Sequence, residues 1–354
     1  MIRLALAGYG VRGHQWARCI DQLPDVRLVA VVDVSEQARQ HAPVAAFPSL
    51  AAVLRAVEVD ALIIATPPAD HAPDALLAMQ HGLPVLCEKP LTENLEQALE
   101  LAETSRRTGA PLLVGMNFRY VPATQEYRRI VRSGTLGQAL FGHFIYVRNR
   151  EGRRPDLNDF PLTMDQPMLF EQSIHHFDLL RYVYDREVIA ITADTWNPGS
   201  SVYRDDACVA TILHFQGGLR VVYLGTWTSG SNHLEFRWRT DFEGGVVVQT
   251  DQFGNLLSAR HDPRAAMTGA LFDAAAEPLL DLGIPAGEPF IADTVLLLAH
   301  FIAVARGLEQ PGPAVEDHLS TLLLLHAART AAKEGRRVLM RQFAEDLGAP
   351  IPGA

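Results

Sequence analysis

Cysteine is scarce in this chain. Of 354 residues only Cys19, Cys87 and Cys208 are cysteines, too far apart to read as a disulfide framework or a C-x-x-C metal clip. Each reads as a small buried apolar residue, and no metal site is expected. No apolar stretch reaches the roughly 18 residues of a membrane-spanning helix. Positive charge is in deficit: 31 Lys and Arg stand against 41 Asp and Glu, a net charge of −10. That balance argues against nucleic acid or an anionic membrane as partner. Internal repeats and low-complexity tracts are absent. The opening Met-Ile-Arg-Leu runs straight into a first strand, with no charged leader, apolar core or cleavage site, so a cytoplasmic protein is expected. What remains is an ordinary globular composition, 48% apolar and 20% charged. At this length two domains are the natural expectation.

What the chain does have begins at once. Ile2 to Ala7 is an apolar run, followed by Gly8-Tyr9-Gly10-Val11-Arg12-Gly13 and a helical stretch through Trp16, Ala17 and Ile20. Strand, G-x-G-x-x-G and helix in that order predict a dinucleotide turn: glycines for a tight bend, for backbone approach to a pyrophosphate and for close helix packing. The free amides at the helix N-terminus would hold the phosphates. A second strand, Leu28 to Val32, ends in Asp33, 20 residues past Gly13. A carboxylate there accepts hydrogen bonds from an adenosine ribose and repels a 2′-phosphate, so the expected cofactor is NAD, with NADP disfavoured. Arg12 or Arg39 would soften that preference if either reached the ribose. The bland reading is a flexible glycine loop followed by a chance acid.

Strands and helices alternate through the first third. Asp60 to Ala65 ends in Thr66-Pro67-Pro68, Pro84 to Cys87 ends in Glu88-Lys89-Pro90, and Leu112 to Gly115 leads to Asn117. Continuous apolar strands between helices imply a doubly wound parallel sheet covered on both faces, with ligands at the carboxyl ends of its strands. Asn94 with Gln97 reads as a capping box opening a helix that Gly109 closes. After about residue 120 the pattern changes to long β-like runs: 138–148, 188–195, 207–215, 219–227, 234–240 and 246–249. Gly217-Gly218 and Gly244-Gly245 mark hairpins between them. One helix, Pro167 to Tyr184, interrupts this series, and two more, 291–306 and 317–334, close the chain. The expected fold is α/β: a Rossmann domain over 1–120, then an α+β domain over 121–354 with a large open, mostly antiparallel sheet. Arg148 to Gln166 reads as a long loop, rich in Arg, Pro and Asp, that would serve as an active-site flap or an oligomer contact. Its arginines Arg148, Arg150, Arg153 and Arg154 read either as an anion-binding set or as a solvated surface.

Two sets of residues carry possible chemistry. Lys89 directly follows an apolar strand at the ligand end of the sheet, where a point charge can hold a substrate oxygen and stabilise developing negative charge. Pro90 confines it to extended backbone. Position alone also allows a lysine snorkelling at a strand end and paired with Glu88. In the helix around Ile174-His175-His176-Phe177-Asp178, an apolar stripe runs through Phe170, Ile174, Phe177 and Leu180. At α-helical pitch Glu171 and His175 share a face beside it, and His176 points about 100° away. A carboxylate beside an imidazole suits a general base. A helix-surface ion pair fits the same spacing.

These segments together resemble the Gfo/Idh/MocA oxidoreductases, named for glucose–fructose oxidoreductase and inositol dehydrogenase. The likeness covers the glycine turn, Ala65-Thr66-Pro67-Pro68 with His71, Cys87-Glu88-Lys89-Pro90, Gly115-Met116-Asn117-Phe118-Arg119-Tyr120, the Ile174–Asp178 helix and Glu334-Gly335-Arg336. The resemblance implies Lys89 and His175 as a catalytic pair. It implies cofactor contacts from Gly8 to Gly13, Asp33, Thr66, Pro67, Pro68, His71, Glu88, Lys89 and Asn117. Substrate contacts are implied for Lys89, Arg119, Tyr120, Glu171 and His175. Where the family usually has an aspartate four residues before the histidine, this chain has Glu171. The implied activity is NAD-dependent oxidation of a secondary hydroxyl of a sugar, inositol or related polyol. Its rivals are a glycoside hydrolase or lyase with transient oxidation by held NAD, and a dinucleotide sensor without turnover. Pairing through the second sheet into a homodimer or homotetramer is also implied.

Overall fold

The computed structural model of the protein describes residues 1–92, 94–152, 159–261 and 278–353. Arg153 and Arg154 lie outside them. The strands are β1 (Ile2–Ala7), β2 (Val26–Val32), β3 (Ala45–Phe47), β4 (Ala61–Ile64), β5 (Val85–Cys87), β6 (Leu112–Val114), β7 (Ala139–Val147), β8 (Val188–Trp196), β9 (Cys208–Phe215), β10 (Arg220–Thr226), β11 (Glu235–Phe242), β12 (Gly245–Asp251), β13 (Gly254–Arg260), β14 (Leu280–Asp281) and β15 (Val338–Leu339). The helices are α1 (Val11–Ile20), α2 (Glu36–Gln40), α3 (Leu50–Ala56), α4 (His71–Gln80), α5 (Leu95–Thr108), α6 (Pro122–Ser133), α7 (Ile174–Tyr184), α8 (Ala292–Ala305), α9 (Val315–Glu334) and α10 (Met340–Asp346). They form two compact units, described separately below.

The first unit holds 1–120 and 288–323. Its parallel sheet has the order β3-β2-β1-β4-β5-β6, the doubly wound arrangement expected. β4, β5 and β6 are buried throughout, which is why their sequences are continuous apolar runs without alternation. Asn94 caps α5 by accepting the Glu96 N–H at 2.8 Å, and Gly109, at φ +73°, ends it. The division of the chain differs from the expected 1–120 and 121–354 in one respect: α8 and the start of α9 belong to this unit. Leu297, Leu298, Phe301 and Ile302 of α8 enter the same core as Leu4, Leu6, Trp16 and Ile20. Burial of that apolar helix face decides its place, and periodicity does not reveal which core will receive it.

The second unit is built on a nine-stranded sheet in the order β14-β13-β12-β11-β7-β10-β9-β8-β15. Among the described residues only β7 and β10 run parallel as neighbours. The two double glycines make hairpins joining β9 to β10 and β11 to β12, while β13, β14, β15 and α10 went unread. On the inner face Phe144, Tyr146, Tyr223 and Trp238 are buried. On the outer face Val222 pairs with both His143 and Ile212, and Phe141, Ile212 and Val222 are exposed.

The helix read as Pro167 to Tyr184 is not one regular helix. Met168–Ser173 is π-helical and continues into α7. Ser173 Oγ donates to the Met168 carbonyl five residues back, at 2.9 Å. A π turn stacks residues five apart rather than four. The four-residue spacing of Glu171 and His175 therefore does not by itself put them on one face.

Candidate active site

The three glycines of the first turn do three different jobs. Gly8 lies at φ +90°, and a Cβ there would sit 2.5 Å from the Ala65 carbonyl oxygen. A Cβ on Gly13 would collide with the Gly8 carbonyl. Gly10 is exposed, and a Cβ on it would meet nothing within 4 Å. That open side, next to the N-terminus of α1 with no side-chain cap, is where a phosphate group can reach backbone amides. Tyr9 and Val11 flank it, the Tyr9 ring lying 4.2 Å from that of His14. Asp33 Oδ2 accepts the Tyr9 N–H and Oδ1 the Ser35 N–H, both at 2.8 Å. Each carboxylate oxygen has a second lone pair for a ribose hydroxyl. Beside Gly8, Thr66 Oγ1 is buried with no hydrogen-bond partner among the described residues. Pro67 next to it is exposed and Pro68 buried. A dinucleotide fits this set: an open glycine for the pyrophosphate, an anchored acid for the ribose and an unspent hydroxyl at the neighbouring strand end.

Both arginines already have protein partners, and that of Arg39 lies at Asp33 itself. Arg12 Nε meets Glu88 Oε1 at 2.5 Å, and Arg39 Nη1 donates to the backbone carbonyls of Asp33 and Val34, at 2.8 Å each. Glu88, buried at the end of β5, also accepts the Trp16 indole N–H at 2.8 Å. Burial pushes its carboxyl up, but the Arg12 guanidinium outweighs this and holds it below the ordinary range. Its place is thus to tie the glycine turn and α1 to β5. Lys89 follows, half-buried, with a cis peptide bond to Pro90. It is one of two lysines in the chain, the other being Lys333. The rarity of lysine is itself a sequence signal: a compact point charge stands here in a chain that otherwise uses arginine.

Several residues implied by the family likeness also bond other parts of the first unit. His71 is fully buried, with Nδ1 3.0 Å from the Pro90 carbonyl and Nε2 2.8 Å from that of Thr66. Burial lowers its pKa. It ties the loop after β4 to the loop after β5. Asn117 Nδ2 donates to Asp293, whose carboxyl is raised by burial although the Asn117 bond opposes this. Arg119 pairs with Asp317 at 2.5 Å, and Tyr120 Oη donates to the Gly312 carbonyl at 2.8 Å. Trp16 and Asp293 are the support residues the sequence reading missed. Nothing in the sequence links position 117 to 293.

In the second unit His175 and Asp178 are buried at the head of α7, and Glu171 is half-buried in the π-helical turn. His176 is a core residue. Phe144 and Tyr146 lie 4.5 and 4.8 Å from its ring, and its Nδ1 is 2.9 Å from Tyr223 Oη. Burial alone pushes its pKa down to about 3. Tyr223 Oη also meets Ser173 Oγ at 2.7 Å, so one phenol joins the π turn, α7 and the sheet.

Residues 2–116 match the model of an oxidoreductase family with an NAD-binding Rossmann fold, and residues 124–248 match the Gfo/Idh/MocA C-terminal domain. The chain belongs to the Gfo/Idh/MocA family. It is an NAD-dependent oxidoreductase of that family, and its first unit has the residues to hold the cofactor. Among relatives, D-apiose dehydrogenase of Paraburkholderia graminis is 25% identical over 96% of this chain and 90% of its own length. Inositol 2-dehydrogenase 4 of Saccharopolyspora erythraea is 31% identical over 54% of this chain and 56% of its own. An oxidoreductase from Agrobacterium radiobacter, crystallised with NAD+, L-tartaric acid and magnesium, shares the fold. Its TM-score is 0.80 at 20% identity, over 96% of this chain and 98% of that one. No helix of the described residues is long and apolar enough to cross a membrane.

Proposed function

We propose that the protein is an NAD-dependent dehydrogenase that oxidises a secondary hydroxyl of a sugar, inositol or related polyol. The observation carrying this is the glycine turn whose open Gly10 and amide-anchored Asp33 suit NAD, two strand ends away from Lys89. Names of relatives that act on inositol and D-apiose support the substrate class. The chemistry supplied by bound NAD is hydride acceptance at nicotinamide C4. His175 takes the hydroxyl proton at an imidazole nitrogen. Lys89 donates through Nζ to the same oxygen and stabilises its developing charge. Glu171 orients His175 or holds a neighbouring hydroxyl. Gly8 to Gly13, Asp33 and Thr66 bind and orient the dinucleotide, while Glu88, His71 and Asn117 hold those loops in place.

The test is NADH production across a panel of neutral polyols and sugars, with His175→Asn beside the parent. General-base catalysis is worth about 10²–10⁴-fold. The variant should lose about that much kcat and keep its affinity for NAD. Unchanged turnover would remove His175 from the mechanism. Cleaved sugar without net NADH would replace the dehydrogenase with a lyase or hydrolase.

The exposed Phe141, Ile212 and Val222 on the outer sheet face support pairing of two copies through that sheet, since contiguous apolar patches mark interfaces. Sedimentation of a monomer at micromolar concentration would exclude it. The three free, buried cysteines suit the reducing cytoplasm, and fractionation of the native host checks that placement.

A further inference from the structure

Past the end of β7 stand two arginines whose charge meets no carboxylate among the described residues. Arg148 and Arg150 are half-buried. Their backbone is pinned: the Arg148 N–H donates to the Thr226 carbonyl at 3.0 Å and the Arg150 N–H to that of Trp227 at 2.8 Å. Tyr203 Oη donates to the Arg150 carbonyl at 2.7 Å, and its ring lies 5.5 Å from that of Trp227. The Arg150 guanidinium lies over the Trp227 ring, 4.2 Å from its centroid. Arg181, Arg204 and Arg239 of the same unit each meet a carboxylate. Among the described residues neither Arg148 nor Arg150 does. Glu151, the nearest acid in sequence, accepts the Val202 N–H instead, at 2.8 Å.

A second donor stands in the same place. Trp227 is fully buried, and its indole N–H has no acceptor among the described residues. A buried donor left unmade costs free energy, so the patch lacks an acceptor-rich group. The patch also adjoins the turn that carries Glu171. Gly225, two residues before Trp227, faces that turn: a Cβ there would collide with Tyr223 Oη and with Met168 Cε of the π turn. Tyr203, pushed up to about 12 by burial, feels the charges of Arg150, Glu151, Arg148 and Glu171 together.

We propose that the substrate is an acid, a sugar or polyol bearing a carboxylate, and that Arg150, with Arg148, binds that carboxylate. The inference rests on the dehydrogenase reading and narrows its substrate class. A guanidinium has a planar fork that matches a carboxylate with two parallel hydrogen bonds. Stacking on an aromatic face holds the fork in one orientation and leaves its edge available. A neutral polyol would leave both cations and the indole donor unanswered.

The test compares NAD reduction by D-gluconate and D-glucuronate with that by sorbitol and D-glucose, in the parent, Arg150→Gln and Arg148→Gln. Charge-assisted hydrogen bonds of this kind predict about 10- to 100-fold higher kcat/KM for the acids, mostly through KM. Arg150→Gln should collapse the acid-to-neutral ratio toward one. Arg150→Lys, which keeps the charge but not the fork, should restore only part of it. A ratio near one in the parent, or a ratio unchanged in both glutamine variants, overturns the proposal. NAD reduction by the neutral compounds alone overturns it while leaving the dehydrogenase standing. If nothing in the panel reduces NAD, the dehydrogenase reading falls, and thermal shift of the NADH-loaded protein decides the anion site. Gluconate must then protect the parent more than Arg150→Gln, and equal protection overturns the proposal.

Discussion

Glu88→Gln isolates what holds the dinucleotide turn in shape. Glu88 is tied to Arg12, a residue of the turn, and to Trp16 on α1. The substitution keeps a carbonyl oxygen for the indole N–H and removes the charge that answers Arg12. Breaking a buried ion pair from one side costs about 3–5 kcal/mol, because the remaining charge is left desolvated. The Arg12 and Glu88 side chains are 18% and 10% exposed, so solvent reaches the guanidinium and the low end, about 3 kcal/mol, is expected. Urea unfolding followed by fluorescence reads the loss, and titration with NADH should show weakened binding because Arg12 lies inside the turn. The pH dependence supplies an independent sign. The carboxyl of Glu88 lies below its unfolded value, since Arg12 outweighs the opposing effect of burial. Its stabilisation is therefore complete above the unfolded carboxyl pKa of about 4.3 and lost as pH falls through the folded value. The gap between parent and variant should be full at pH 7 and shrink in acid. Equal urea midpoints at pH 7, or a gap that widens as pH falls, would refute the account of Glu88 as the anchor of the turn.

Gly10→Ala should leave the melting temperature nearly unchanged, because its Cβ meets open space, yet weaken NADH binding measured by titration; Gly13→Ala, whose Cβ collides with the Gly8 carbonyl, should lose stability as well. Asp33→Asn should narrow the preference for NAD over NADP by more than tenfold in kcat/KM. A phosphate charge 4 Å from the carboxylate costs about 4 kcal/mol at an effective dielectric of 20, and an unchanged preference would remove Asp33 from cofactor choice. His176 is neutral in the fold at a pKa of about 3. Between its unfolded value near 6.5 and 3 the unfolded chain binds the extra proton, so stability falls with pH across that window. Urea midpoints of His176→Gln should be lower than the parent at pH 7, since packing is lost, but less sensitive to pH from 6.5 down to 4. A parallel pH dependence would deny the buried, neutral histidine.

The strand–turn–helix at residues 2–20, Asp33, the strand ends at 66–68 and 88–90 and the long strands of the second half were readable because each depends on neighbours in the chain. A G-x-G-x-x-G between an apolar run and a helix has few local alternatives, and a parallel strand buried on both faces must be apolar throughout. Other features depend on contacts that sequence distance hides. The place of α8 follows from the core that receives Leu297 and Phe301. The bonds of Arg119, Tyr120 and Asn117 to Asp317, Gly312 and Asp293 cannot be seen in the sequence. The π turn at 168–173 has no composition of its own. It is held by Ser173 and Tyr223, 50 residues apart, and it shifts the register on which the Glu171–His175 pairing had been argued. His175 and His176 are chemically identical and adjacent, and only packing tells them apart. Periodicity can assign a side chain to a face, but what that face meets, and hence whether a histidine stays neutral in a core or an arginine keeps its charge unanswered, is decided when distant segments close upon one another.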